Sequence, residues 1–452
     1  LNSGLIIVDG DAEDEIDITI ANGAASTTTV AGDLVVTTDL AVTGDYSSTT
    51  SGTSNLRLGV NAGDSIASGG NFNVVVGDEA GTAITTGDSN VAVGYQALDA
   101  EDAHGLNTAV GYQALSAQNA GFDAKNVAVG YQAGASITEG DRNTLIGTSA
   151  GDALTHADFN VAVGEAALTA DTLGSRSTAI GRAALATQNF TTATDVYNTA
   201  VGSNAGLSVT TGVQNTLIGG LAGDALTDAD RNVAVGYFAL SSDTLGSKSI
   251  AIGSGALFTQ NFTTATDAFN IAIGDAAGLS ITTGIKNTIV GGNAGDALTD
   301  ADFNVAVGNN ALTADTLGSR SVAIGNSALL TQNFTTATDS FNTAVGDQAG
   351  RAVTTGTQNT LIGARAGDAL TAAFENVAIG YEAQTTDTLG RRTVAVGNGA
   401  LQTQNFTTAT NSYNVAVGYD AGTAVTTGTL NTLIGGLAGD ALTVGNSNTA
   451  LG

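Results

Sequence analysis

Asn198-Thr-Ala-Val-Gly-Ser-Asn-Ala-Gly-Leu-Ser-Val-Thr-Thr-Gly-Val-Gln214 is one turn of a pattern that runs along most of the chain. Its opening pentapeptide, Asn-x-Ala-Val-Gly with few variations, returns as Asn90–Gly94, Asn107–Gly111, Asn126–Gly130, Asn232–Gly236 and onward to Asn448–Gly452. Counted by the closing glycine from Gly59 there are 23 copies, most of them 17 residues apart. From Gly181 onward every fourth step is 21 residues, and Gly130, Gly202, Gly274, Gly346 and Gly418 mark a superperiod of 72. A period this regular belongs to stacked coils, in which each unit touches only its neighbours, rather than to a globular domain. The pentapeptide alternates with the period of two that marks a strand. The expected fold is all-β: a parallel β-solenoid, or β-roll, of 17/17/17/21-residue coils over residues 55–452. A differently wound capping or connecting β-segment is expected over residues 1–54.

The fourth residue of the pentapeptide is Val, Ile or Leu throughout (Val201, Ile218, Val235, Ile252) and is expected to face the lumen. The third is usually Ala (Ala200, Ala234, Ala251) and sometimes Leu or Ile (Leu217, Ile289). A strand that is apolar on both faces is buried on both. Small alanine on the outer face would suit several chains packed about an axis, with three as the expected number. The closing glycines Gly130, Gly202, Gly274, Gly346 and Gly418 are expected at structural corners whose backbone other residues disfavour. The leading Asn fits two readings, an amide ladder along the stack or a residue suited to the turn before a strand. At the spacing of paired strands, one rung per repeat gives a shaft of roughly 110 Å.

Composition narrows the function. With 42 acidic against 13 basic residues the net charge is −29, and only three of the bases are lysine. Such a surface repels nucleic acid and anionic membranes. The absence of cysteine excludes a disulfide framework, a thiolate metal site and a cysteine nucleophile. The absence of proline fits a chain whose amides must nearly all donate to a ladder. No apolar run approaches the length of a membrane span, and no signal peptide is visible. A chain that starts at Leu1, contains no methionine and stops in mid-coil is expected to be a segment of a longer or processed polypeptide.

The 21-residue coils carry a second motif, Thr-Gln-Asn-Phe-Thr-Thr-Ala-Thr, beginning at Thr187, Thr259, Thr331 and Thr403. The four extra residues are expected to project as a loop. Phe190, Phe262, Phe334 and Phe406 are the candidate lateral contacts, suited to a sugar or a protein partner. In a chain this poor in aromatics, however, the reading that each ring tucks over a neighbouring coil is favoured. The acidic stretch Asp9-Gly-Asp-Ala-Glu-Asp-Glu15 reads as a solvated turn rather than a calcium site. Asp224, Asp228 and Asp230 recur as Asp296, Asp300 and Asp302, yet the middle position is His156 in an earlier cassette and Ala372 and Phe374 interrupt a later one. A ligand set that dissolves between repeats points to solvation. The only histidines, His104 and His156, do not recur, and no set of unlike groups converges as catalysis requires. No enzyme activity, catalytic residue, cofactor or metal is expected.

The units Asn-Val-Ala-Val-Gly, Ser177–Gly181 and Ser321–Gly325 resemble the head repeats of trimeric autotransporter adhesins. The longer form Asn107-Thr-Ala-Val-Gly-Tyr-Gln-Ala-Leu115 is similar to repeats in tail-fibre and surface-fibre proteins of bacteriophages, and Val30-Ala-Gly-Asp-Leu-Val-Val-Thr37 resembles phage fibre shafts. The resemblance implies a parallel β-roll trimerised about a three-fold axis. It implies a fibre shaft on the virion surface that projects a receptor-binding tip and aids host attachment. The partners so implied are two further copies of the chain, other virion fibre or baseplate proteins, and a host surface glycan or protein, with no nucleic acid and no membrane insertion. The alternatives are the adhesive head of a bacterial surface adhesin and a self-assembling extracellular filament. Adhesin heads repeat at shorter spacing, and neither their membrane anchor and stalk nor the chaperone domain of many phage fibres is recognisable in this segment.

Overall fold

A three-residue strand cannot stand alone, so its amides must be satisfied by the coils above and below it. In the computed structural model, which describes residues 50–452, this is what each pentapeptide does. The strands Thr199–Val201, Thr216–Ile218, Val233–Val235 and Ile250–Ile252 pair in parallel and in register, with Ala200 beside Leu217, Leu217 beside Ala234, and Ala234 beside Ala251. The pattern extends to one 23-stranded parallel sheet. No helix is present among the described residues. Away from the strands the coils are bonded as regularly: the Leu221 N–H donates to Ser203 O at 3.0 Å, and Thr227 N–H to Thr244 O at 2.9 Å. The expected parallel β-solenoid is thus the observed fold. The expectations for the N-terminal capping segment, apart from its last few residues, and for Asp9–Glu15 lie outside the described residues.

The strand faces run opposite to the expectation. The third residue, not the fourth, points into the lumen: Ala200, Leu217, Ala234 and Ala251 are fully buried, whereas the fourth residues, such as Ile218, face outward. The lumen is too narrow for a branched side chain on every side of every coil. Each coil sends three residues inward, and the cassette alternates their sizes. In the first two coils Ala205 and Ala222 are followed by Gly206 and Gly223, and Val209 and Leu226 fill the third side. Leu217 occupies the space the glycines leave: a Cβ on Gly206 would lie 2.7 Å from its Cδ1, and one on Gly223 would lie 2.8 Å from its Cδ2. In the last two coils Leu240 and Leu257 stand where the glycines were, and the third side is polar, with Asp243 and Gln260 both fully buried. The argument that alanine lines an axis between chains is therefore withdrawn, because alanine lines the coil itself.

The closing glycines form a column of their own. Gly202, Gly219, Gly236 and Gly253 have φ between 132° and 142°, and each stacks on the next. Gly274, Gly346, Gly418 and Gly130 belong to the same column, with φ of 140° to 145°. A Cβ on Gly202 would sit 2.4 Å from the carbonyl oxygen of Gly219, so both the backbone conformation and the stacking distance demand glycine.

The leading asparagines are buried and link successive coils. The Asn215 N–H donates to Asn198 Oδ1 at 2.8 Å, and Asn215 Nδ2 donates to Ala229 O at 2.7 Å. Direct amide-to-amide contacts are longer, 3.4 Å between Asn215 and Asn198. The column is an asparagine ladder, built mainly on the backbone of the next coil.

Candidate functional site

The 21-residue coil is where the chain departs from uniformity, and it is built around a buried acid. Asp243 Oδ1 accepts from the Gly246 N–H at 3.0 Å and the Phe262 N–H at 3.1 Å, and its Oδ2 accepts from Gln260 Nε2 at 2.6 Å. Gln260 also donates to Ser249 Oγ at 3.0 Å and accepts from Asn270 Nδ2 at 2.8 Å. Ser249 stands where the ladder would have an asparagine, and Gln260 carries the ladder across the gap. The same cell recurs at Asp171, Asp315 and Asp387 with Gln188, Gln332 and Gln404. Burial raises the Asp171 carboxyl above its ordinary value, against the pull of the Gln188 amide and the Phe190 and Gly174 backbone amides. Nothing in this cell can reach a ligand: it anchors the loop.

The loop's candidate contact residues lie over that anchor. Phe190, Phe262, Phe334 and Phe406 are 5–7% exposed. The Phe262 ring covers Gly246, where an added Cβ would lie 2.7 Å from its Cδ2. The outer surface of the loop is made instead by Thr191, Thr192 and Ala193 and their equivalents, all exposed. A partner that reads the loop meets threonines and not the rings.

The repeated surface aspartates do not converge. Asp224 accepts from the Ser241 hydroxyl at 2.6 Å, Asp228 from the Thr211 hydroxyl at 2.8 Å, and Asp230 from the Val213 N–H at 2.8 Å. His156 faces Glu139 at 3.7 Å, and both are exposed.

Two surfaces run the length of the solenoid. The first is the outer face of the sheet, formed by the second and fourth pentapeptide residues. Every one of these positions in all 23 strands is Val, Ile, Leu or Thr, and none carries a charge. Ile146, Ile180, Ile218, Ile273, Ile324, Ile362 and Ile434 are each 37–41% exposed. With three residues per rung at the ordinary strand spacings, the strip covers on the order of 1,000 Å², beyond the few hundred Å² that soluble monomers usually leave bare.

The second surface is the residue just before each leading Asn, a position the sequence reading passed over. It holds Lys125, Arg142, Arg176, Arg231, Lys248, Lys286, Arg320 and Arg392, most of the 13 basic residues, interleaved with Phe159, Tyr197, Phe269, Phe303, Phe341 and Tyr413. These residues adopt left-handed backbone, as at Arg176 (φ 65°) and Phe303 (φ 59°). Their side chains stack as cation–π pairs, with the Arg176 guanidinium 4.8 Å from the Phe159 ring and Arg320 4.8 Å from Phe303. Arg176 and Arg320 also pair with Asp195 and Asp339 of the long coils, at 2.9 and 3.1 Å. The column clasps the extra loop from outside; exposed pairs of this kind contribute little each.

One cell breaks the cassette pattern. In the second and third described pentapeptide coils after Gly77, Glu101 stands where the later acids stand, His104 replaces the glycine three residues on, and Ala120 replaces the phenylalanine. Glu101 is fully buried, yet neither carboxyl oxygen has a hydrogen-bond partner. Burial pushes its carboxyl up to about 7; the His104 backbone amide pulls it partway down without closing a hydrogen bond, and the Asp102 charge adds to the rise. The folded state therefore holds this proton more tightly than the unfolded chain does. In the metal-free protein the stability of these coils is present below the ordinary value of 4.5 and lost as pH rises through about 7. Asp99, Asp102 and His104 are the titratable neighbours along this turn. Glu101→Gln is expected to abolish the dependence, protecting the amides of Val91–Val93 and Thr108–Val110 better than wild type at pH 8 and equally at pH 4.5 in hydrogen exchange with chelator present. Equal protection of the two proteins at both values would show that Glu101 is solvated.

Compared with known proteins, the chain matches no family model, and no curated protein matches it. Among the described residues no helix is long and apolar enough to cross a membrane.

Proposed function

We propose that residues 55–452 form the shaft of a homotrimeric fibre, of the kind that on a bacteriophage tail or head holds a receptor-binding tip away from the virion and aids attachment to the host surface. The observation that carries this reading is the uncharged outer face of the sheet, continuous over 23 rungs on a chain of net charge −29. Parallel sheets are covered on both faces, and a second copy of the chain, identical rung for rung, is the partner whose face matches at every level. The regular coils give reach and stiffness. Three chains also present each Thr191–Ala193 loop three times, so weak contacts with a host glycan or protein act together.

The resemblance of the repeats to phage fibres supports the virion surface over a bacterial adhesin head or a free filament. Imaging the untreated source material by electron cryomicroscopy decides between them. A virion, with its baseplate or other fibre proteins, at the N-terminal end of the shaft is the expected result; a cell envelope or no particle there would overturn the viral reading.

The assembly has its own test. Ile218→Asp combined with Val235→Asp places two charges on adjacent rungs of the outer face without touching the lumen. The pair is expected to lower the mass in solution from three chains to one while leaving the β-sheet circular dichroism unchanged. An unchanged mass would remove this face from the assembly.

A further inference from the structure

Five cells of the solenoid place a carboxylate at the same point of the lumen wall, and four of them satisfy it. At Asp171, Asp243, Asp315 and Asp387 two backbone N–H groups and a glutamine amide donate to the acid. At Glu101 every one of these donors is withdrawn. Gln118, the counterpart of Gln260, turns its amide to Thr138 O at 3.3 Å. Both Glu101 oxygens are left buried and unpartnered, as is Nδ1 of His104. The backbone is not the cause: Asn90 Nδ2 donates to His104 O at 3.1 Å, as Asn232 Nδ2 donates to Gly246 O at 2.9 Å. Only the side chains have changed, and all three changes meet in one place. The longer acid reaches further, histidine occupies the glycine position, and Ala120 replaces the bulky ring that would cover it. A buried carboxylate deprived of all donors is costly unless something positive completes it.

We propose that Glu101, Asp102 and His104 bind one divalent transition-metal cation of the Zn2+ class per chain. One ligand atom from each of the three lies within 4.8 Å of the others, and Asp102, at the exposed rim, gives the ion an entrance. Two carboxylates with one imidazole suit Zn2+, Co2+ or Mn2+, with water in the remaining positions; Ca2+ prefers six to eight oxygens and takes no nitrogen. Bound there, the ion joins two successive residues of the turn to His104 and supplies the positive partner that hydrogen bonds supply in the other four cells. The site is independent of whether the fibre is viral or trimeric.

Co2+ is the probe. The full chain, stripped with chelator and dialysed, is titrated with Co2+ and followed by visible absorption and by metal analysis. The expected result is one Co2+ per chain with ligand-field bands. Glu101→Gln and His104→Ala are each expected to weaken binding by about ten-fold or more, whereas His156→Ala leaves it unchanged. Glu101→Gln removes no hydrogen bond, so its circular dichroism and rung protection should stay native and a loss of binding reports on the site. Absence of the bands in the native chain, or binding that survives in both Glu101→Gln and His104→Ala, would overturn the proposal and assign any uptake to the acidic surface.

Discussion

Replacing Gly274 by alanine is expected to open the solenoid at that rung, at a cost of about 3 kcal/mol. The new Cβ would lie 2.5 Å from the carbonyl oxygen of Gly291 and 2.6 Å from its carbon, both backbone atoms. Neither can retreat cheaply, because the Gly291 N–H is already committed to Ile273 O at 2.7 Å. The residue's φ of 140° is a second obstacle that no rotamer relieves. Because coils hold only their neighbours, the damage should stay local. Hydrogen exchange is expected to quicken at Ile271–Ile273 and Thr288–Val290 and to remain slow four or more coils away. Gly220→Ala is the control: its Cβ would meet only the Tyr237 ring, at 3.5 Å. That change should be neutral or slightly stabilising. Similar effects from the two substitutions would mean that the glycine column is not close-packed.

The second large effect is expected at Asp243. Its removal as Asp243→Ala leaves the Gly246 and Phe262 amides and the Gln260 side chain facing an empty lumen, a loss of about 3–5 kcal/mol. The consequence should propagate along the relay: Gln260 is freed, its grip on Asn270 loosens, and the Phe262 loop lifts from Gly246. Asp243→Asn keeps an acceptor for the two backbone amides but sets an NH2 group against Gln260 Nε2, so an intermediate loss is expected. Asp228→Ala, on the exposed surface with a single threonine partner, should cost almost nothing. Local unfolding free energies from exchange of the Thr266–Asp267 strand separate these cases. An Asp243→Ala protein as stable as Asp228→Ala would show that the buried acid is dispensable.

The repeat itself was legible because it is local. Each pentapeptide alternates, each period ends in glycine, and no long-range pairing had to be guessed. Which strand face is inside was not legible from hydrophobicity, since Ala200 and Val201 are both apolar. The distinction lay in size, and the signal was present: Leu217, Ile289, Leu361 and Leu433 appear at the third position once per cassette, in coils where glycine replaces leucine four residues after the strand's last residue but one. That pairing of large with absent is the mark of a shared lumen. The buried acid was also within reach. Asp171, Asp243, Asp315 and Asp387 recur without substitution, 72 residues apart, while the surface acids of the Asp224–Asp230 group drift to His156 and Ala372. Glu101 and His104 were harder to find. Only the geometry of the other four cells shows that this carboxylate has lost its donors.

The reading of the chain as a fibre shaft turns on whether its uncharged outer face meets copies of itself. Multi-angle light scattering on the purified chain, at physiological salt and over a tenfold range of concentration, measures this directly. A constant mass of three times 44.4 kDa is the predicted result. A mass of 44.4 kDa throughout, with the sheet intact, would contradict it and leave the outer face to a different partner.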